Sequence, residues 1–476
     1  MTLPYILIFT AVALFLGLVT RNRWRVYFLM GVSALAVFIM QPILPIRGLD
    51  FWLATATLAL TVLSWIITAP PGVQRERSNL IAFGILLGIV VFVDLSRYLG
   101  IEEFIMATLP PRIGTLLVFL AVLVVVFWGA VFVKRVSPAF LLILSTVLLI
   151  GIFIVLKVPA FAMAVSGAIR SMLGRPVGRD YAADFRWLGF SYIAFRLLHT
   201  IRDRQTGRLP AVSLAEYVTY VIFFPSLTAG PIDRVERFIQ DLRKPFVLGA
   251  EELTVAGKRL VIGLFKKFVL ADSLALIALN GVNAFQIRTP GWMWVILYAY
   301  AFQIYLDFGG YTDIAIGMGH LMGIKLPENF IAPYLKPNLT QFWNNWHMTL
   351  TQWFRAYFFN PVTRSLRSAK RRLPIPAIIL VTQLGTMLLI GLWHGVTWNF
   401  IMWGLWHGVG LFLQNRWSEF IRPRLAGLEN RKWLNSSLTV LSTIFTFQYV
   451  ALGWVWFALP DLTSSVYVFL KLFGFA

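Results

Sequence analysis

An all-α, polytopic integral membrane protein is what this sequence predicts, and three observations carry the expectation. Of its 476 residues 58% are hydrophobic and only 13% charged, against about 45–50% and about 25% in a soluble domain. The apolar residues fall in long continuous runs, not in the alternating stretches of about 10 that barrel strands need. Basic residues outnumber acidic ones 42 to 21, a formal charge of +21, and they gather between the runs. Since only helices or closed barrels satisfy every backbone group in a bilayer, the composition excludes a soluble enzyme, a disordered chain and a nucleic-acid-binding domain.

A bilayer core takes about 20 helical residues. The first runs are 4–20, 26–44, 51–69, 79–95, 114–133 and 138–156. Further along come 187–200, 211–229, 253–281, 291–306, 374–393, 396–414 and 436–458. Several are short or broken by Gly and Pro, so about 11–13 hydrophobic helices are expected, not all of them full spans. The first run lacks a basic leader and a small-residue cleavage site, and reads as a retained helix.

Basic loops mark the cytoplasmic side. Arg21, Arg23 and Arg25 follow the first run, Arg75 and Arg77 the third, Lys134 and Arg135 the fifth. That alternation puts the N-terminus outside. Arg202, Arg204 and Arg208, the eight basic residues between 232 and 267, and segments 364–372 and 416–432 then face inward. Segment 157–186 disagrees, because it should lie outside yet carries Lys157, Arg170, Arg175, Arg179 and Arg186. Attraction to anionic headgroups accounts for much of this charge. A more specific use is docking an acidic partner or an anionic phosphate donor. No long polar linker intervenes, so a single multi-pass plasma-membrane domain over 1–476 is expected, with N-terminal helices in 1–156, a polar-bearing core in 187–414 and C-terminal helices in 436–476.

Cysteine is absent, which excludes a disulfide framework, a thiolate metal site and a cysteine nucleophile. Five histidines remain, at 199, 320, 347, 394 and 407. They are dispersed, and no metal site is expected. His199 and Asp203 form an HxxxD pattern that reads as an interface salt bridge.

Polar residues enter apolar sequence at four places. At Phe223–Arg234 a hydrophobic helix ends in Pro225, Gly230-Pro231 turns the chain, and 232–245 carries Val235, Phe238, Ile239 and Leu242 at amphipathic spacing. At 305–313, Asp307 and Asp313 flank Gly309-Gly310, a pair expected to loosen the helix. Intramembrane carboxylates are paired or functional, and at six residues apart these do not form an acid/base dyad. At 341–355, a continuous helix would put Trp346, Leu350, Trp353 and Tyr357 on one face and His347, Thr351, Phe354 and Phe358 on the next. Such an aromatic-walled helix can line a cavity for an extended chain. At 391–400, His394 follows Trp393 in an apolar stretch beside Gly395, and Leu405–Val409 echoes it. His394 and His407 would point to nearly opposite faces if their helix were continuous. Burial favours the neutral imidazole, the form a general base needs.

Taken together and in order, LTAGPIDRVERFIQDL (227–242), DFGGYTDIAIG (307–317), LMGIKLPENF (321–330), FWNNWHMTLTQWFR (342–355) and GLWHGVTWNFIMWGLWHGVGLF (391–412) resemble the membrane-bound O-acyltransferase (MBOAT) family. Within it they look closest to the bacterial branch of the D-alanyl transfer protein of the teichoic acid Dlt system, and more distantly to the alginate O-acetylation protein. Three departures stand out: Arg355-Ala356-Tyr357 replaces an Arg-Asp-Tyr, Gly309 stands where Ala or Ser is usual, and the N-terminal third is longer.

The resemblance implies a ring of helices around a thin centre with a tunnel, where a thioester donor and an acceptor hydroxyl meet. It implies that His394 is the catalytic histidine and His347 the second. A neutral imidazole at His394 would remove the hydroxyl proton as it attacks. His347 would orient the acceptor or polarise the carbonyl. Asn344 and Asn399 are candidate donors to the oxyanion, and Trp346, Trp353, Trp393 and Trp398 candidate substrate-binding walls that exclude water. The acyl group is D-alanyl from the phosphopantetheine of a carrier protein docked on the inner face, or acetyl from acetyl-coenzyme A. The acceptor is a cell-envelope polymer such as teichoic acid, another polysaccharide or peptidoglycan, with an extracytoplasmic transferase as a possible further partner. No tightly bound cofactor is implied. The rival from another class is a proton-coupled transporter or flippase using Asp307 and Asp313. A non-catalytic scaffold is a third reading.

Overall fold

The computed structural model describes all residues except 1, 20–23, 71, 119, 120, 122–136, 173, 177–185, 370–372, 426–431 and 476. The fifth apolar run, 114–133, lies mostly outside the described residues, as do Arg21, Arg23, Lys134, Arg135 and Arg179. Among the described residues the regular structure is helical throughout. Two compact units form, Met1–Gly257 with Ala315–Leu326, and Lys258–Ile314 with Pro327–Ala476.

In the first unit the apolar runs become α1 (Leu3–Val19), α2 (Arg25–Met40), α3 (Leu49–Thr68), α4 (Arg77–Leu99), α5 (Pro138–Lys157) and α6 (Pro159–Met172). After them comes α7 (Phe190–Gln205). In the run 211–229, whose helix was expected to end in Pro225, α8 (Leu214–Ile222) stops just before it and a 3₁₀ turn at Phe224–Ser226 and a connector follow. Its start is fixed by a capping box, with the Ser213 side chain accepting the Glu216 N–H and the Glu216 carboxylate accepting the Ser213 N–H. Pro225 then limits its length.

The connector is held by buried polar groups. Arg196, 1% exposed, donates to the carbonyls of Val221 and Ser226 and to Ser226 Oγ at 2.7–2.8 Å. The Tyr220 hydroxyl donates to the Asp233 carbonyl at 2.8 Å, and Arg237 pairs with the Asp233 carboxylate. The amphipathic expectation for 232–245 holds: α9 (Val235–Arg243) buries Val235, Phe238, Ile239 and Leu242. Gly189 adopts φ +62°, and a Cβ there would run into the Leu227 carbonyl, so a left-handed residue without a side chain is required. The HxxxD pair also forms, His199 Nε2 lying 2.9 Å from Asp203 Oδ2. Glu236 brings its carboxylate to the same place, with ligand-capable atoms of all three within 4.8 Å of one another.

Within the run 253–281, the helix α10 (Ala250–Leu264) continues as a π-helical stretch, Phe265–Ala271. The long helix α11 (Pro290–Leu321) follows. Gly309-Gly310 does not loosen it, contrary to expectation. Gly310 and Gly263 instead remove side chains at a backbone crossing, since a Cβ on either would lie 2.7 Å from the other's carbonyl oxygen. Next come α12 (Leu339–Asn345), α13 (Met348–Phe354), a π-helical turn at Arg355–Phe359 and α14 (Asn360–Ser368). The unit closes with α15 (Ile375–His394), α16 (Trp398–Leu425), α17 (Lys432–Ala458) and α18 (Leu462–Leu472). Across both units α3, α4, α5, α15 and α17 are long and apolar enough to cross a bilayer.

Candidate active site

His347 occupies a break, not a helix face. The chain leaves α12 at Trp346, His347 takes φ 42° and ψ 53°, and α13 begins at Met348. The continuous-helix faces expected across 341–358 therefore do not exist, because one left-handed residue resets the helical phase. A non-glycine residue in that region costs on the order of 1–3 kcal/mol and persists only where its surroundings over-determine it. Here the irregular segment 329–331 does so: Ile331 N donates to Asn345 O at 3.1 Å and Met348 N to Asn329 O at 3.0 Å, one on each side of His347.

The ring this holds in place is 3% exposed, and neither Nδ1 nor Nε2 has a hydrogen-bond partner. Its neighbours are aromatic. Phe308 meets it edge-on at 4.7 Å between centroids and Trp393 at 6.1 Å. Trp393 also contacts His394, at 4.5 Å. One indole therefore touches both imidazoles that were singled out.

His394 is the last residue of α15. Its ring packs against Phe457 at 4.8 Å and Trp403 at 5.5 Å, and stacks on Phe400 at 5.9 Å. The helix stops there and α16 doubles back against α15, so the opposite-faces expectation for His394 and His407 fails with its premise. The close return rests on three glycines. A Cβ on Gly404 would sit 2.7 Å from the Met387 carbonyl oxygen, one on Gly408 3.0 Å from Leu384 Cα, and one on Gly391 would strike the Phe400 carbonyl. Small residues four apart allow such backbone approach inside a membrane. His407 ends up fully buried between Trp403 at 5.0 Å and Trp343 at 5.1 Å, with both ring nitrogens unpartnered.

The remaining expected residues separate. Trp346 is buried, stacked on Phe342 at 5.5 Å and packed on Phe330 and Trp454 at 5.1 and 5.0 Å. Trp393 is buried. Trp353 is half-buried against Phe354 and Tyr357. Trp398 is 69% exposed, so it does not wall a buried chamber. The two candidate oxyanion donors differ in their surroundings. Asn399 spends its amide N–H groups on the Leu459 and Asp461 carbonyls and Ser465 Oγ at 2.7–3.2 Å, tying α16 to the turn before α18. Asn344 is exposed and accepts from Arg355 at 2.5 Å. Residue pairing missed Phe308, Trp403 and Phe457, whose positions carry no sequence signal beyond aromaticity.

The two acidic residues of α11 are paired. Lys267 bonds Asp307, and Asp313 takes Arg259 at 2.5 Å and Lys266 at 2.8 Å. Arg259 also bonds Glu328. Arg259, Lys266, Asp313 and Glu328 border a small cavity with Thr312, whose backing residues Tyr305 and Phe330 contact Trp346. Replacing Asp313 by alanine takes an acidic partner from two cations, of which Arg259 keeps Glu328. Removing one partner of a buried pair costs about 3–5 kcal/mol, but Arg259 and Lys266 remain 34% and 32% exposed. The expected loss is therefore about 1–3 kcal/mol after solvent screening, read as a lower thermal midpoint of the solubilised protein, with Asp313→Asn recovering little of it.

The model of the MBOAT, membrane-bound O-acyltransferase family matches residues 139–455, two-thirds of the chain and all of the histidine-bearing helices. The chain belongs to this family. Among curated relatives, the teichoic acid D-alanyltransferase of Streptococcus thermophilus is 32% identical over 292 residues, covering 57% of this chain and 68% of the relative. The probable alginate O-acetylase AlgI of Pseudomonas syringae is 31% identical over 289 residues, 60% of this chain and 52% of the relative. The peptidoglycan O-acetyltransferase of Helicobacter pylori is 33% identical over 261 residues, 54% of this chain and 46% of the relative. The chain thus spans about half the length of these last two. Like the rest of the MBOAT family, it is an all-α, multi-pass membrane acyltransferase. The transporter and scaffold readings fall with that membership, and Asp307 and Asp313 serve as ion-pair partners.

Proposed function

We propose that the protein transfers an acyl group, D-alanyl or acetyl, from an intracellular thioester to a hydroxyl of an extracytoplasmic cell-envelope polymer. The observation that carries this reading is the joint contact of Trp393 with His347 and His394, one imidazole at a helix end and the other buried without a hydrogen-bond partner. An imidazole nitrogen of His394 takes the hydroxyl proton as the oxygen attacks the thioester carbon. Negative charge collects on the carbonyl oxygen, the C–S bond then breaks, and the proton passes to the departing thiolate. His347 orients the reacting groups in a chamber whose aromatic lining limits thioester hydrolysis.

Two donors fit this chemistry: the phosphopantetheine arm of an aminoacylated carrier protein docking on a basic cytoplasmic face, and acetyl-coenzyme A. The D-alanyl relative favours the first as donor to teichoic acid. An acetyl group on a polysaccharide or peptidoglycan acceptor, as the names of the O-acetylating relatives give it, goes with the second, and an extracytoplasmic transferase would then complete delivery. The plasma membrane is the location in either case. The test is thioester turnover by the purified protein in lipid nanodiscs, comparing labelled acetyl-coenzyme A with a D-alanyl carrier protein. Histidine-dependent turnover from the carrier protein alone assigns D-alanylation, and from acetyl-coenzyme A alone O-acetylation. Turnover from neither by a folded protein overturns the reading.

A further inference from the structure

We propose that Asn329 is a catalytic residue of this site, its carboxamide oxygen fixing the left-handed backbone at His347 while its amide nitrogen donates to the thioester carbonyl oxygen in the transition state. The proposal rests on the acyl-transfer reading above and adds a residue to it. Asn329 is 0% exposed. Its Oδ1 accepts from both Thr349 N, at 3.2 Å, and Thr349 Oγ1, at 2.7 Å, while its backbone carbonyl accepts from Met348 N at 3.0 Å. Residues 348 and 349 directly follow His347, so Asn329 clamps the C-terminal side of the strained position.

That anchoring leaves the amide nitrogen with nothing to bond, although it is buried. The oxygen and nitrogen cannot be exchanged to cure this. A backbone N–H only donates, so the atom facing Thr349 N must be the acceptor. Two bonds to Oδ1 fix the amide plane and with it the directions of both free N–H groups. A buried donor without a partner carries a desolvation cost of about 1–3 kcal/mol in general. A donor held rigid in a water-poor site is what a developing oxyanion requires. Of the two asparagines expected for that task from sequence, Asn399 has its N–H groups bonded elsewhere and Asn344 is exposed on the surface, whereas Asn329 offers a buried, neutral and preorganised donor.

In the step itself, the acceptor oxygen bonds to the acyl carbon and its proton goes to His394. The carbonyl π pair moves onto oxygen, where Asn329 Nδ2–H donates. Its return expels the thiolate.

The test uses the full chain in nanodiscs with whichever thioester the wild type turns over. Asn329→Asp keeps every acceptor facing Thr349 and Met348, and its carboxyl donates only while protonated. The expected result is a kcat about 10²–10³-fold below wild type at a pH where the carboxyl is ionised, recovering as the pH falls, with the donor KM within about threefold, while burial of the carboxylate lowers the thermal midpoint. A purely structural role would lower the midpoint and raise KM with no recovery of kcat per folded molecule at low pH. Thr349→Val provides a second reading, since it loosens the amide plane without touching the nitrogen. It is expected to lower kcat about tenfold at constant KM. Wild-type kcat in Asn329→Asp overturns the proposal, as does wild-type kcat in Thr349→Val if Asn329→Asp fails to fold. Absence of turnover by the wild type overturns the acyl-transfer reading and this role together, which separates the two failures.

Discussion

Replacing His394 by alanine is expected to cut acyl transfer by about 10²–10⁴-fold, the contribution of a positioned general base, while the protein still inserts and folds. The imidazole is half-buried at the end of α15, enclosed by Trp393, Phe400, Trp403 and Phe457 at centroid distances of 4.5–5.9 Å. These rings pack against one another as well: Trp403 meets Phe457 at 5.7 Å and Phe400 meets Phe457 at 5.1 Å. Truncation therefore opens a small void without dismantling the box. The measurement is single-turnover loss of the thioester, with a thermal melt to establish folding. His407→Ala is the informative contrast. That ring is fully buried against Trp343, Trp403 and Trp454, so its removal should lower stability by about 2–4 kcal/mol, as large-to-small core changes do, and leave turnover per folded molecule largely intact. Wild-type transfer by His394→Ala would remove His394 from the mechanism.

The second large effect is expected at Gly404. Valine there places its Cβ 2.7 Å from the Met387 carbonyl oxygen and 2.9 Å from Leu388 Cα. Both are helix backbone atoms, which cannot swing aside as a side chain would. The helices must separate, at a cost of about 1–3 kcal/mol for overpacking, and the separation occurs about two helix turns before α15 presents His394. A displacement of about 1 Å can cost on the order of 10²-fold in rate, so Gly404→Val should lose activity out of proportion to its loss of stability. The check is kcat measured beside the thermal midpoint, with Gly88→Ala as the control, because a Cβ on Gly88 meets nothing within 4 Å. Equal, small effects from both substitutions would show that the α15–α16 spacing does not position His394.

Hydropathy made the spans legible because it reports the same property the bilayer selects. Runs 51–69, 79–95 and 374–393 became Leu49–Thr68, Arg77–Leu99 and Ile375–His394. Amphipathic spacing likewise placed the buried face of Val235–Arg243. The family motifs, read in order, reached the family itself. What periodicity did not reach was the phase of a helix across a break. Trp346-His347 looks helical by residue type, and its interruption is imposed by Asn329, 20 residues upstream of Thr349. The return of α16 on α15 was equally hidden, since Gly395 can continue or end a helix and only the facing backbones decide. The surroundings of Asn399 were hidden for a related reason. Residue type shows which side chains can donate, but Leu459, Asp461 and Ser465 had already claimed those of Asn399.

The conformation of His347 also bears on which residues position 347 tolerates. At φ 42° and ψ 53° an L-residue suffers a Cβ clash that glycine does not, a difference of roughly 1–2 kcal/mol in backbone preference. Folding and turnover thus favour different residues there: substitutions ranked by how well the chain folds would point away from histidine, and substitutions ranked by acyl transfer would point back to it.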